Sequence, residues 1–213
     1  MPPKAVIFDI GRVIVRINLD RLIEPLAALQ PTGSGAAAAE KRSPAQVWSS
    51  IEHDPRWQDW QEGRMTPHQW HEHLSRRLRM NIGFADFCDA WNRALDPEPI
   101  LPEELFDRLG ATCKLALLSN TDPIHSAHLE AYFAFVKQFP VRIYSCSIGA
   151  CKPSPAIYAA ALGALQVPAN EALYVDDIAE FAQAARQLGL DAIHFESPAQ
   201  LLKGLSSRGL LAE

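Results

Sequence analysis

Cysteine, positive charge and long apolar runs are all scarce in this sequence. Its 213 residues include four cysteines, Cys88, Cys113, Cys146 and Cys151, and none lies in a C-x-x-C pair. Four thiols in a chain this long make no disulfide framework. They read as reduced, small apolar side chains of a cytoplasmic protein. Lys and Arg number 20 against 25 Asp and Glu, a formal charge of −5. Phosphate backbones need a basic face, so nucleic acid is excluded as a main partner. No apolar stretch approaches the ~18 residues of a membrane span. The opening MPPKAVIFDIG lacks the basic segment and long apolar run of a signal peptide. What remains is ordinary for a soluble globular chain, 48% hydrophobic and 21% charged. The length suits one large domain or a core carrying a smaller insertion.

Residues 4 to 9 are apolar and β-branched and end at a turn, the pattern of a fully buried strand. RVIVRIN then reads as a short hairpin leaving that strand. LDRLIEPLAALQ has a helical stripe at Leu19, Leu22, Ile23, Leu26 and Leu29, with a break or helix start expected at Pro25. The Gly-, Ser- and Ala-rich PTGSGAAAAEKRSP reads as a loop. From 44 to about 95 only helical patterns follow, including one that starts with Thr66 as N-cap and Pro67 at the first helical position. The Pro-rich DPEPILP marks a boundary. Beyond it, short apolar strands alternate with helices. That rhythm predicts an α/β fold, a doubly wound parallel sheet covered on both faces. The expected division is a core of 1–18 and 97–213, with an all-helical insertion over 19–96.

In such sheets ligands bind beyond the carboxyl ends of the strands. The first strand ends at Asp9. KLALLSN ends at Ser119 and Asn120, and ALYVDD at Asp176 and Asp177. GACKPSPAIY places Lys152 in a loop just before a helix. Neighbouring strands would gather three carboxylates, a hydroxyl, an amide and an ammonium in one pocket. Three carboxylates share a small site only around a cation, and a hard divalent ion, Mg²⁺, suits oxygen ligands. Asp9 is then placed to attack phosphorus. Ser119, Asn120 and Lys152 supply donors to phosphoryl oxygens.

These residues resemble the haloacid dehalogenase superfamily, most of whose members are Mg²⁺-dependent phosphatases. VIFDIG is similar to its first motif, LALLSNT to its second, CKPSPAIY to its third and LYVDDIAEF to its fourth. The resemblance implies a nucleophilic Asp9, a phosphoryl group on Ser119 and Asn120, charge stabilisation by Lys152, and Mg²⁺ held by Asp9, the Gly11 carbonyl, Asp176 and Asp177. The insertion resembles the family's helical cap. The implied partner is a small phosphate ester, a sugar phosphate among the options, and the chain would be a monomer or homodimer. Three positions depart from the pattern. Gly11 stands where phosphatases carry a second aspartate, so the carbonyl is kept and the general acid is lost. This favours leaving groups of low pKa, namely aryl, acyl or anomeric sugar phosphates. Arg12 replaces a small residue and either binds a substrate anion or points to solvent. Phe181 stands where a polar residue supports the metal and lysine.

Two further readings stay open. One is a 2-haloacid dehalogenase using Asp9 on carbon without metal, with Arg12 in its favour and the Asp176–Asp177 pair against it. The other is a catalytically degenerate binding or regulatory module. His68, His71 and His73 read as helix surface rather than a metal site, and His125 and His128 as solvent-facing or capping in preference to reaching the pocket mouth. All five tryptophans, Trp48, Trp57, Trp60, Trp70 and Trp91, lie in the insertion; they read mostly as its core, with one facing the substrate.

Overall fold

The computed structural model describes residues 2–29 and 42–211. The loop expected at 31–44 lies almost wholly outside the described residues. The chain runs through β1 (Ala5–Phe8), β2 (Val15–Ile17), α1 (Leu19–Ala28), α2 (Pro44–Glu52), α3 (Trp57–Gln61), α4 (Pro67–Leu78) and α5 (Phe84–Asn92). It continues through β3 (Leu95–Pro99), α6 (Glu103–Gly110), β4 (Lys114–Ser119), α7 (Pro123–Tyr132), β5 (Val141–Tyr144) and α8 (Ser145–Ile148). It closes with α9 (Pro155–Leu165), β6 (Ala172–Asp176), α10 (Ala179–Gln187), β7 (Asp191–His194) and α11 (Pro198–Ser206).

Five strands form one parallel sheet in the order β5-β4-β1-β6-β7. The fold is α/β and doubly wound, as the alternating pattern predicts. β1 is central and fully buried, which explains its unbroken apolar run. Its side chains alternate between two cores. Val6 and Phe8 pack with Leu105, Phe106, Leu201 and Leu205 of α6 and α11. Ala5 and Ile7 pack with Ile157, Tyr158, Ala182 and Ala185 of α9 and α10. The chain winds outward from β1 through β4 to β5, then crosses back to β6 on the other side. Such a reversal opens a crevice at the carboxyl ends of the strands.

Helices α1 to α5 pack around their own apolar cluster, built on Leu22, Leu26, Ile51, Trp60, Trp70 and Trp91. N-caps Ser43 and Thr66 both form full capping boxes, with Pro at the first helical position of α2 and α4. Two sequence expectations are corrected here. Pro25 neither breaks nor starts a helix; it lies inside α1. Its missing N–H costs one backbone bond, and burial of Leu22, Ile23, Leu26 and Ala27 outweighs that loss. RVIVRIN does not fold back as a local hairpin. Val15–Ile17 pairs antiparallel with Leu95–Pro99, so the Pro-rich stretch is itself a strand. Two prolines are tolerated there because the sheet has only two strands and both are edges.

The helical layer is held tightly to the sheet layer. Gly63, just beyond α3, has φ +69°, and a Cβ there would lie 2.0 Å from the Cys146 carbonyl oxygen. Only a glycine allows this approach. Nearby, the Ser145 hydroxyl donates to the Gln61 carbonyl at 2.7 Å.

Candidate active site

Asp9 follows β1, and its N–H still bonds the Val175 carbonyl of β6 at 2.9 Å. Ser119 ends β4 and Asp176 ends β6. Because β1 lies between β4 and β6, the three side chains meet at one edge of the sheet. Lys152 enters from the loop between α8 and α9. Asn120 fixes that loop: its amide donates to the Lys152 carbonyl at 3.0 Å and accepts the Lys152 N–H at 2.7 Å. The Lys152 ammonium, 2% exposed, donates to Asp9 Oδ1 at 2.7 Å and to Asp176 Oδ2 at 2.8 Å. Asp176 also accepts from the Tyr174 hydroxyl and from the Ile178 N–H at 2.8 Å.

Burial opposes the charge on Asp9, and Asp176 and Asp177 add repulsion that Lys152 only partly offsets; its pKa is pushed up to about 7. Burial also opposes the charge of Lys152, yet Asp9 and Asp176 outweigh it and its pKa is raised. Burial and Asp176 push Asp177 up as well, against Arg12. Burial dominates the shifts of Asp9 and Asp177, and the crowding of three carboxylates around one ammonium adds to them. Carboxylate oxygens of Asp9, Asp176 and Asp177 lie within 4.8 Å of one another. A hard divalent cation matches that donor set and would relieve the crowding. Asp176 already accepts three hydrogen bonds, so about one of its lone-pair sites is left for an ion. Asp177 and the second oxygen of Asp9 are less committed.

The two other departures now have places. Arg12 sits in the left-handed region at φ 57°. Its guanidinium stands 4.0 Å from Asp177 and is 59% exposed, a rim contact of small energetic weight. Phe181, on α10, packs partly on the core, and the centroid of its ring lies 5.1 Å from the Lys152 ammonium. A cation–π contact therefore takes the place of a polar partner beside the lysine.

A cavity of about 370 Å³ opens between the strand ends and the helical layer. Asp9, Gly11, Arg12, Ser119, Asn120, Lys152 and Asp177 all line it, while Asp176 sits behind Lys152. Trp48, Trp57 and Trp91 form part of the opposite wall. Trp60 and Trp70 stack on each other in the core of the helical layer. The histidines of α4 have separate partners: His68 stacks on Phe84, His71 donates to the Ile82 carbonyl, and His73 to Asp54.

His125 corrects the expectation of a solvent-facing or capping side chain. It lines the cavity and is mostly buried. The cap of α7 is Asp122, whose Oδ1 accepts the N–H groups of Ile124 and His125 at 2.9 Å. Its Oδ2 accepts the Trp91 indole N–H and the His125 Nδ1–H, each at 3.0 Å. His125 Nε2–H donates to the Trp91 carbonyl at 2.9 Å. Both ring nitrogens face acceptors, an arrangement that favours the imidazolium form. Burial works against that charge, but Asp122 prevails and raises the pKa of His125. Burial likewise works against charge on Asp122, and His125 prevails to lower its pKa. The sequence did carry a signal: a histidine three residues after an N-cap aspartate lies against its own cap.

This cluster ties α5 to α7, so His125→Ala should destabilise the protein by about 3 kcal/mol, the scale for removing one partner of a buried ion pair. A raised histidine pKa contributes stability that is full below about 6.5. That contribution is lost as pH rises through the folded value. Urea melts at pH 6 and pH 9 should show the wild type losing stability across that window and His125→Ala losing less. Equal pH slopes would remove the charged pair from the account.

Comparison with known proteins identifies the family and the fold. Residues 3–189 match the family model described as haloacid dehalogenase-like hydrolase. D-ribitol-5-phosphate phosphatase of Bacteroides thetaiotaomicron is 23% identical over 92% of this chain and 93% of its own length. Acyl-CoA dehydrogenase family member 10 of Mus musculus is 28% identical over 51% of this chain, but the match spans only 10% of that protein. A HAD-family enzyme of B. thetaiotaomicron, crystallised with magnesium and inorganic phosphate, superposes with a TM-score of 0.78 at 19% identity, covering 92% of this chain and 96% of that one. With its doubly wound sheet, its strand-end carboxylates and a family match over most of its length, this chain belongs to the haloacid dehalogenase-like hydrolases.

Proposed function

We propose that this hydrolase is a Mg²⁺-dependent phosphomonoesterase acting on a small phosphate ester through an aspartyl-phosphate on Asp9. The observation that carries the reading is the Lys152 ammonium bridging Asp9 and Asp176 at 2.7 and 2.8 Å, beside the third carboxylate of Asp177. The full-length likeness to a sugar-alcohol phosphate phosphatase supports it.

In this reading an oxygen of Asp9 attacks phosphorus and the bond to the leaving oxygen breaks. Water then attacks the acyl-phosphate, releases inorganic phosphate and restores Asp9. Lys152 holds Asp9 in position and faces the charge that gathers on the phosphoryl oxygens. Ser119 and the backbone at Asn120 supply further donors, and the Asn120 side chain keeps Lys152 in place. Bound Mg²⁺, held by Asp9, Asp176, Asp177 and the Gly11 carbonyl, supplies positive charge against the carboxylates and the phosphoryl group. Residues 19–96 act as the cap that chooses the substrate.

Acetyl phosphate with millimolar Mg²⁺ tests the reading directly. Phosphate release should stop with EDTA and return with added Mg²⁺. Release that ignores the chelator would overturn it. Chelator-resistant chloride release from 2-chloropropionate would favour the dehalogenase instead.

A further inference from the structure

The cavity wall contributed by the helical layer offers rings rather than hydrogen bonds. Trp48 and Trp57 meet edge to face, with centroids 6.0 Å apart, and Trp57 lies 6.5 Å from Trp91. Leu22 and Leu129 extend the same lining. The polar groups beyond the strand ends are largely committed. Asp122 accepts from Ile124, His125 and Trp91. His125 spends both ring protons on Asp122 and the Trp91 carbonyl. Beyond the strand-end groups and the rim guanidinium of Arg12, Gln61 and Thr121 add an amide and a hydroxyl, few for the several hydroxyls of a sugar or polyol. A buried hydroxyl left without a partner costs affinity, whereas a flat ring gains contact area against indoles.

The chemistry of the strand ends points the same way for a separate reason. Gly11 offers no acid to the leaving oxygen, and the protons of His125 are already engaged. The leaving group must then depart as an anion. A phenol-type oxygen does so readily, since it ionises near pH 10 as tyrosine does.

Resting on the phosphatase reading, we infer that the substrate class is a phosphate ester with a flat, apolar, aryl-type leaving group, seated between Trp48, Trp57 and Trp91. The bond from phosphorus to the aryl oxygen breaks as Asp9 bonds to phosphorus. The electron pair leaves on the aryloxide, which takes its proton from solvent.

Two measurements test this. The first compares kcat/KM for phenyl phosphate and D-ribitol 5-phosphate under Mg²⁺, with acetyl phosphate as the reference for turnover. Phenyl phosphate should exceed the polyol ester by at least a hundredfold. The second is calorimetric titration with benzylphosphonate and methylphosphonate, which needs no turnover. Benzylphosphonate should bind at least tenfold tighter, and Trp57→Ala should shrink that gap to less than threefold. Trp48→Ala serves the same end if Trp57→Ala does not fold. Acetyl phosphate turnover with ribitol 5-phosphate preferred would overturn the inference and leave the phosphatase standing. Equal binding of the two phosphonates would also overturn it, because the preference would then owe nothing to the tryptophans. If no ester is cleaved, the phosphatase reading falls. Tighter benzylphosphonate binding would then still uphold the apolar selectivity of the cavity.

Discussion

Asp9→Asn is expected to lower kcat for acetyl phosphate by a factor on the order of 10⁴–10⁶, the scale on which removing a nucleophile is felt. The substitution also takes away the Asp9 oxygen left for Mg²⁺, but it changes little in the fold. An amide oxygen still accepts from the Lys152 ammonium, and Asp176 still pairs that ammonium at 2.8 Å. The buried lysine therefore keeps a counterion, and the sheet around β1 has no reason to rearrange. Three readouts separate chemistry from folding. The thermal midpoint should stay within a few degrees of the wild type. Benzylphosphonate should still bind in the calorimeter. Steady-state release of phosphate should collapse. Turnover within tenfold of the wild type would take the nucleophile's role away from Asp9 and with it the covalent route.

The parts of this molecule that the sequence made legible are those where one physical rule acts alone. A strand buried on both faces must be apolar along its buried run, as β1 is over Ala5–Phe8, β4 over Leu115–Leu118 and β6 over Ala172–Val175. A carboxylate that ends such a strand stands out, so Asp9 and Asp176 were visible as candidates. The helical insertion was legible from the stripe of α1 and from Thr66 and Pro67 at the start of α4. The illegible parts depend on distant partners. Val15–Ile17 finds its partner strand at Leu95–Pro99, and no local pattern records a pairing across the whole insertion. Pro25 was misread because packing outweighed propensity in α1. The tryptophans could not be sorted, because the core of the helical layer and the cavity are both apolar and ask for the same side chains. Asn120 reads from the sequence as a ligand to phosphate, and the structure shows in addition that its side chain holds the Lys152 backbone. That role belongs to a loop thirty-odd residues away in sequence.

Gly11→Asp should raise kcat/KM for an alkyl phosphate by about 10²–10⁴-fold, the usual contribution of general acid catalysis. Phenyl phosphate should gain less than about tenfold, since its leaving oxygen needs less help from a proton. The backbone accepts the change. A Cβ at Gly11 would meet Ile17 Cγ1 at 3.6 Å and Cδ1 at 3.8 Å, which is ordinary contact, and Asp9 Oδ2 at 4.0 Å. The added carboxyl would thus start out beside the nucleophile, on the cavity side of the turn. Its closeness to Asp9 and Asp177 would hold its pKa up, because like charges disfavour ionisation, and a protonated carboxyl is what a leaving alkoxide requires. Gly11→Asn is the matched control: it fills the same space and cannot act as a carboxylic acid. A rise on the alkyl ester with Asp but not with Asn would assign the leaving-group preference to the missing acid. An equal rise on alkyl and aryl esters, or none on either, would place the preference in the tryptophan wall alone.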